Sequence, residues 1–185
     1  MLRIACCTAV LSLVVSSPLL GQSVCHAEND GNTYNDNFSM GGPNLIVGVQ
    51  FTAPSSFSVS RMEIFTGEGS GTNSLSIWSH NAGTNLPLAQ LSGTASWSMS
   101  NTDSWQGADL GTSYAITGGT TYWLAWGCIN GSQCSVDVPM AGLGQFYSGS
   151  FNGGQSWSGP FQFTDRHWKF RLYGNCGGGS GITSF

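Results

Sequence analysis

The side chains able to do chemistry here are the carboxylates, three histidines and seven tryptophans of a chain of 185 residues. Two carboxylate pairs are close in sequence: Glu63 with Glu68, and Asp103 with Asp109 on either side of Trp105. Glycoside hydrolysis needs two carboxyl groups about 5 to 10 Å apart across the sugar, and sandwich-type glucanases set them on one strand as E-x-D-x-x-E. Here Gly67 and Gly69 put Glu68 in a turn, and neither pair meets the requirement. No G-x-S-x-G, H-E-x-x-H or G-x-x-x-x-G-K motif supplies a nucleophile, a zinc site or a phosphate loop. His26, His80 and His167 read as surface or loop residues. The chain therefore reads as non-catalytic, with a hydrolase as the remotest alternative.

Binding has more to work with. Sugars stack their C–H faces on exposed aromatic rings while amides and hydroxyls orient them, and the chain is rich in both kinds of group. Trp78, with His80 two residues on, is the expected platform on the outer face of its strand, joined by Trp123 or Trp126. Trp105 and Trp157 lie in Gly- and Ser-rich loops and are placed at the loop end of the fold. The candidate ligand-binding set is Trp78, His80, Trp105, Trp123 and Trp157. For any one tryptophan taken singly a core position is the favoured reading, since two stacked sheets need large side chains between them; the expectation is that at least one of the seven is an exposed platform.

Export is expected from the N-terminus. Arg3 precedes an apolar run from Ile4 to Val15, and Pro18 to Ser23 supply small residues for cleavage. Residues 1–23 thus read as a signal peptide, 24–176 as one domain, and 177–185 as a Gly-rich linker or tail whose natural continuation is missing. The apolar run is short for a span of about 20 residues, so no membrane span is expected in the mature form. Cys25, Cys128, Cys134 and Cys176 remain, and an oxidising compartment favours bridges between them. Cys128 and Cys134 flank a turn-forming loop, which makes a local bridge natural, and Cys25 with Cys176 would then close the domain. Loop entropy puts the first at roughly 2 kcal/mol and the second at about 5. No C-x-x-C pair favours zinc.

The stretch from Cys25 to Met40 is polar and aperiodic and reads as a solvated loop. Its alternative is a structural calcium site using Glu28, Asp30 and Asp36, although the spacing is not that of an EF-hand. The rest reads as strands. Asn44 to Thr52, Phe57 to Thr66, Ser74 to His80 and Thr121 to Ile129 are the firm ones, the last a central strand with aromatic and β-branched residues bounded by glycines. Its faces separate Trp126, with Tyr122 and Leu124, from Trp123, with Ala125, so one Trp enters a core and the other needs a cover. Ala89 to Met99, Ser104 to Leu110, Tyr114 to Thr117, Ser135 to Val138 and Gln145 to Phe151 follow as weaker strands. His167 to Gly174 alternates, with Trp168, Phe170 and Leu172 inward. Its outward Lys169 and Arg171 are expected to pair with Glu28 or Asp30. No helical period is sustained. The fold class is all-β: a single antiparallel β-sandwich, jelly-roll-like.

Charged residues make up only 8% of the chain, against roughly a quarter in average domains. A net charge of −4 with five Lys and Arg excludes a nucleic-acid surface, which needs clustered cations. Tyr114, Ile116, Gly119, Thr121, Tyr122, Trp123 and Leu124, together with FTAP at Phe51 to Pro54 and SLSIWSH at Ser74 to His80, resemble a family of secreted bacterial β-sandwich (jelly-roll) domains. These occur in planctomycete-like cell-surface proteins with variable C-terminal sorting tails. The resemblance implies the fold and an extracellular or cell-surface setting, and carries no site residues. The function expected is that of a secreted, non-catalytic binding module for a polysaccharide or surface glycan. The alternative is a structural, self-associating protein of an extracellular matrix or surface layer.

Overall fold

A computed structural model describes residues 22–30, 37–41, 44–67, 69–129, 133–137, 144–163 and 167–177. Among these are thirteen strands: β1 (Ser23–Glu28), β2 (Asn37–Gly41), β3 (Ile46–Thr52), β4 (Phe57–Thr66), β5 (Thr72–Asn81), β6 (Leu86–Gln90), β7 (Ala95–Ser98), β8 (Ser104–Ile116), β9 (Thr121–Ile129), β10 (Gln133–Asp137), β11 (Phe146–Ser150), β12 (Ser158–Gln162) and β13 (Phe170–Asn175). All pair antiparallel. A small sheet runs β1-β13-β4-β8 and a large one β12-β11-β3-β9-β5-β6, with β7 also on β5; β2 and β10 form a separate ribbon.

Alternation along the strands builds the core between the two sheets. Val47, Val49 and Phe51 of β3, Leu75 and Ile77 of β5, and Leu124 and Trp126 of β9 face Met62 and Ile64 of β4 and Phe170 and Leu172 of β13. Trp126 meets Trp168 edge-to-face at 5.8 Å, and its indole N–H donates to Asn73 Oδ1 at 3.1 Å, which satisfies a wholly buried amide. The fold is the expected antiparallel β-sandwich.

Strands β4 and β9 have the bounds that their composition predicts. Elsewhere the segments differ. Ala89–Met99 divides into parts of β6 and β7, while Ser104–Leu110 and Tyr114–Thr117 run together as β8. The stretch expected as loop carries β1 and β2 instead. Strand β1 has no alternation of its own and forms because β13 offers an edge, from Ser23 opposite Gly174 to Glu28 opposite Phe170. Its His26 is not a surface residue: it is 8% exposed and packs between Phe51 and Phe170 at 5.1 and 5.7 Å. The disulfide Cys25–Cys176 is formed and ties β1 to the end of β13. Residues 1–21 of the expected signal segment, the tail beyond 177, Asp36, Glu68 and the side chains of Cys128 and Cys134 lie outside the described residues, while Ser23, expected to end that segment, is the first residue of β1. No described helix is long and apolar enough to cross a membrane.

Candidate functional site

The strands of the large sheet contain no Asp, Glu, Lys or Arg. Every described charged residue lies in or beside the small sheet, apart from Asp137 in the ribbon. The fold thus separates the few charges onto one layer and leaves the other neutral.

On the outer face of that neutral sheet a second apolar cluster forms, made of Trp78, Trp123 and Ala125 with Ile46, Phe146 and Trp157 packed on it. Trp78 and Trp123 are directly opposed across β5 and β9. Beside them a row of small residues crosses four strands in register: Ser148, Gly48, Ala125 and Ser76. Gly48 lies under both indoles: a Cβ there would meet Trp157 at 3.5 Å and Trp123 at 3.6 Å, ordinary van der Waals contact. Trp157 returns over this row from the β11–β12 connection. It is the cover that the second tryptophan of β9 requires.

The outermost strands β12 and β6 approach each other. With the small sheet packed on the inner face, the large sheet can only be curling toward its outer one. That face is therefore concave. Trp123 is 0% and Trp78 is 7% exposed, so these two rings form the floor and not, as the sequence suggested, the presented platform. Trp157 is half-buried, and its indole N–H is shielded with no hydrogen-bond partner among the described residues. Phe151, in the same connection, is 76% exposed.

His80 joins this floor to polar groups. Trp123 donates its indole N–H to His80 Nδ1 at 3.2 Å, and the two rings lie nearly parallel, 28° apart. Gln50 Nε2 is 3.3 Å from the same Nδ1 and donates to Asn85 Oδ1 at 2.6 Å. Asn85 closes the β5–β6 turn in a left-handed conformation, φ 54°, which asparagine adopts more readily than most residues. Gln50 and Asn85 were not singled out by sequence. Their only signal is that Gln50 sits on the outward phase of β3 and Asn85 in a turn.

Trp105 belongs elsewhere. It lies on the outer side of the small sheet, opposite Phe65, with the Arg171 guanidinium 3.9 Å above its ring. A chain of hydrogen bonds crosses that side. Arg171 donates to Asp30 at 2.6 Å and to Tyr173 Oη at 3.4 Å; Tyr173 donates to Glu63 at 2.6 Å; Arg61 donates to Glu63 at 2.7 Å and to Asp109 at 3.2 Å. Burial, and then the bond to Glu63, push the Tyr173 hydroxyl above its usual range, while burial pulls Lys169 below its own. The Asp30–Arg171 pair is one of the pairings expected from sequence. Of the other carboxylates considered for calcium, Glu28 pairs with His26 Nε2 at 3.1 Å and Asp36 lies outside the described residues. No group of three His, Cys, Asp or Glu suited to a metal occurs among the described residues.

No protein-family model, curated protein or solved structure matches this chain. The site's chemistry must therefore be argued from its geometry. Of the five candidate ligand-binding residues, Trp78, His80, Trp123 and Trp157 come together, and Trp105 stands apart on the opposite layer.

Proposed function

We propose that the chain is a non-catalytic binding module that takes a neutral carbohydrate on the concave face of its large sheet. The observation that carries this reading is the combination on that face: a half-buried indole, Trp157, on the same aromatic cluster to which Trp123 joins the amide and imidazole groups of Gln50, His80 and Asn85, in a sheet whose strands carry no formal charge. Sugar hydroxyls are recognised by such neutral donors and acceptors, and the ring faces by aromatic carbon. The Cys25–Cys176 bridge fits an oxidising compartment, so the setting proposed is outside the cell.

Self-association through sheet edges is the less favoured reading. The outermost strands of the large sheet each contain a proline, Pro87 in β6 and Pro160 in β12. Proline lacks the N–H that edge pairing needs and blunts such edges.

The test is a tryptophan-fluorescence titration against soluble β-glucan, xylan, mannan and chitin oligosaccharides. One of them is expected to change the emission of the wild type, and Trp157→Ala to abolish the response while Trp105→Ala keeps it. The opposite pattern would move the site to the small sheet. No response to any glycan would sink the carbohydrate reading.

A further inference from the structure

The polarity of the groups around His80 follows from one atom. An indole nitrogen can only donate, so the Trp123 N–H, 3.2 Å from His80 Nδ1, requires that nitrogen to be an acceptor. The neutral ring then carries its proton on Nε2. The Gln50 atom at 3.3 Å from Nδ1 must likewise be its donor nitrogen, and the Asn85 atom receiving the other amide hydrogen at 2.6 Å must be its oxygen. Three groups remain without a partner among the described residues: His80 Nε2–H as donor, Gln50 Oε1 as acceptor and the Asn85 amide nitrogen as donor. All three residues are half-buried at the edge of the aromatic floor.

We propose, building on the carbohydrate reading, that this donor–acceptor–donor set reads a pair of adjacent hydroxyls on the ligand. A vicinal diol offers oxygens to accept from the imidazole and the Asn85 amide, and a hydroxyl hydrogen for Gln50 Oε1. Trp123 is a positioning residue: it touches no ligand and fixes the tautomer that does. Around His80 stand Trp123 from β9, Gln50 from β3, Asn85 from the turn and Pro87 from β6, none of them titratable or charged.

Two measurements test this on the whole protein. Long-range proton–nitrogen spectra of ¹⁵N-labelled protein at neutral pH, with His80 assigned through His80→Gln, are expected to show it wholly as the Nε2–H tautomer. Trp123→Phe should convert it to a tautomer mixture and leave His26 and His167 unmoved. Protonated Nδ1 in the wild type, or no change in Trp123→Phe, would overturn the proposal. With the glycan that responds in the titration above, His80→Gln should bind about tenfold or more weakly than the wild type at neutral pH, as a donor to the ligand is lost. Equal affinity in His80→Gln would overturn the role given to His80. The expected spectra with no glycan bound would instead overturn the carbohydrate reading, and the diol role with it, leaving only the locked ring.

Discussion

The ring of Trp157 stands edge-on to that of Trp78, with centroids 5.2 Å apart and planes at 77°. This contact closes the outer cluster. Removing it in Trp157→Ala should leave the sandwich folded, because the main core is separate, and lower stability by about 2 kcal/mol, less than for a fully buried Trp. Acrylamide quenching should rise as Trp78 and Trp123 become wet. Gly154→Ala tests the same cover from the other side. Gly154 has φ 88°, and a Cβ there would collide with Cη2 of Trp78, so a loss of at least about 1 kcal/mol is expected from the backbone alone. Guanidinium unfolding followed by fluorescence measures both.

Two carboxylates of the charged layer should behave differently although both bind Arg61. The Glu63 side chain is 11% exposed and accepts from Arg61 and from Tyr173. Glu63→Gln is expected to cost about 2 kcal/mol, as a shielded charged acceptor is lost. Asp109 is 64% exposed in its side chain, and Asp109→Asn should change stability by less than about 0.5 kcal/mol. Denaturant midpoints at constant slope decide the comparison; equal losses would contradict it.

Acid should weaken the fold through His167. Its Nε2 is shielded and has no hydrogen-bond partner among the described residues. Burial lowers its pKa below the ordinary 6.5, against an opposing pull from Glu28. The unfolded chain therefore takes up the proton first as pH falls. Stability from this group is intact above the unfolded value and is lost as pH drops from 6.5 through the lower folded value. Urea midpoints measured across that window should fall more steeply for the wild type than for His167→Leu. Parallel curves would show that His167 plays no part.

Much of this architecture was legible where a strand is apolar on its own account. The alternation at Trp168, Phe170 and Leu172 and the aromatic density of Thr121–Ile129 each demand a sheet, and the opposite phases of Trp123 and Trp126 imply two apolar layers. What covers the outer layer was not legible, because Trp157 reaches it from a Gly- and Ser-rich connection whose local sequence says only that it turns. Strand β1 was hidden for a related reason: Ser-Val-Cys-His-Ala-Glu becomes a strand by pairing with distant β13. Strand β12 contains Gly159 and Pro160, residues that argue against a strand except at an edge. The link from Trp123 to His80, Gln50 and Asn85 joins three strands and a turn, and no spacing within one segment could show it.

The bridge between Cys25 and Cys176 holds their Cα atoms 4.9 Å apart, both at the β1 and β13 margin of the charged sheet. The start of β1 and the end of β13 therefore stand side by side on that layer. Both ends of the described domain share one margin of the sandwich, and the neutral sheet carries neither.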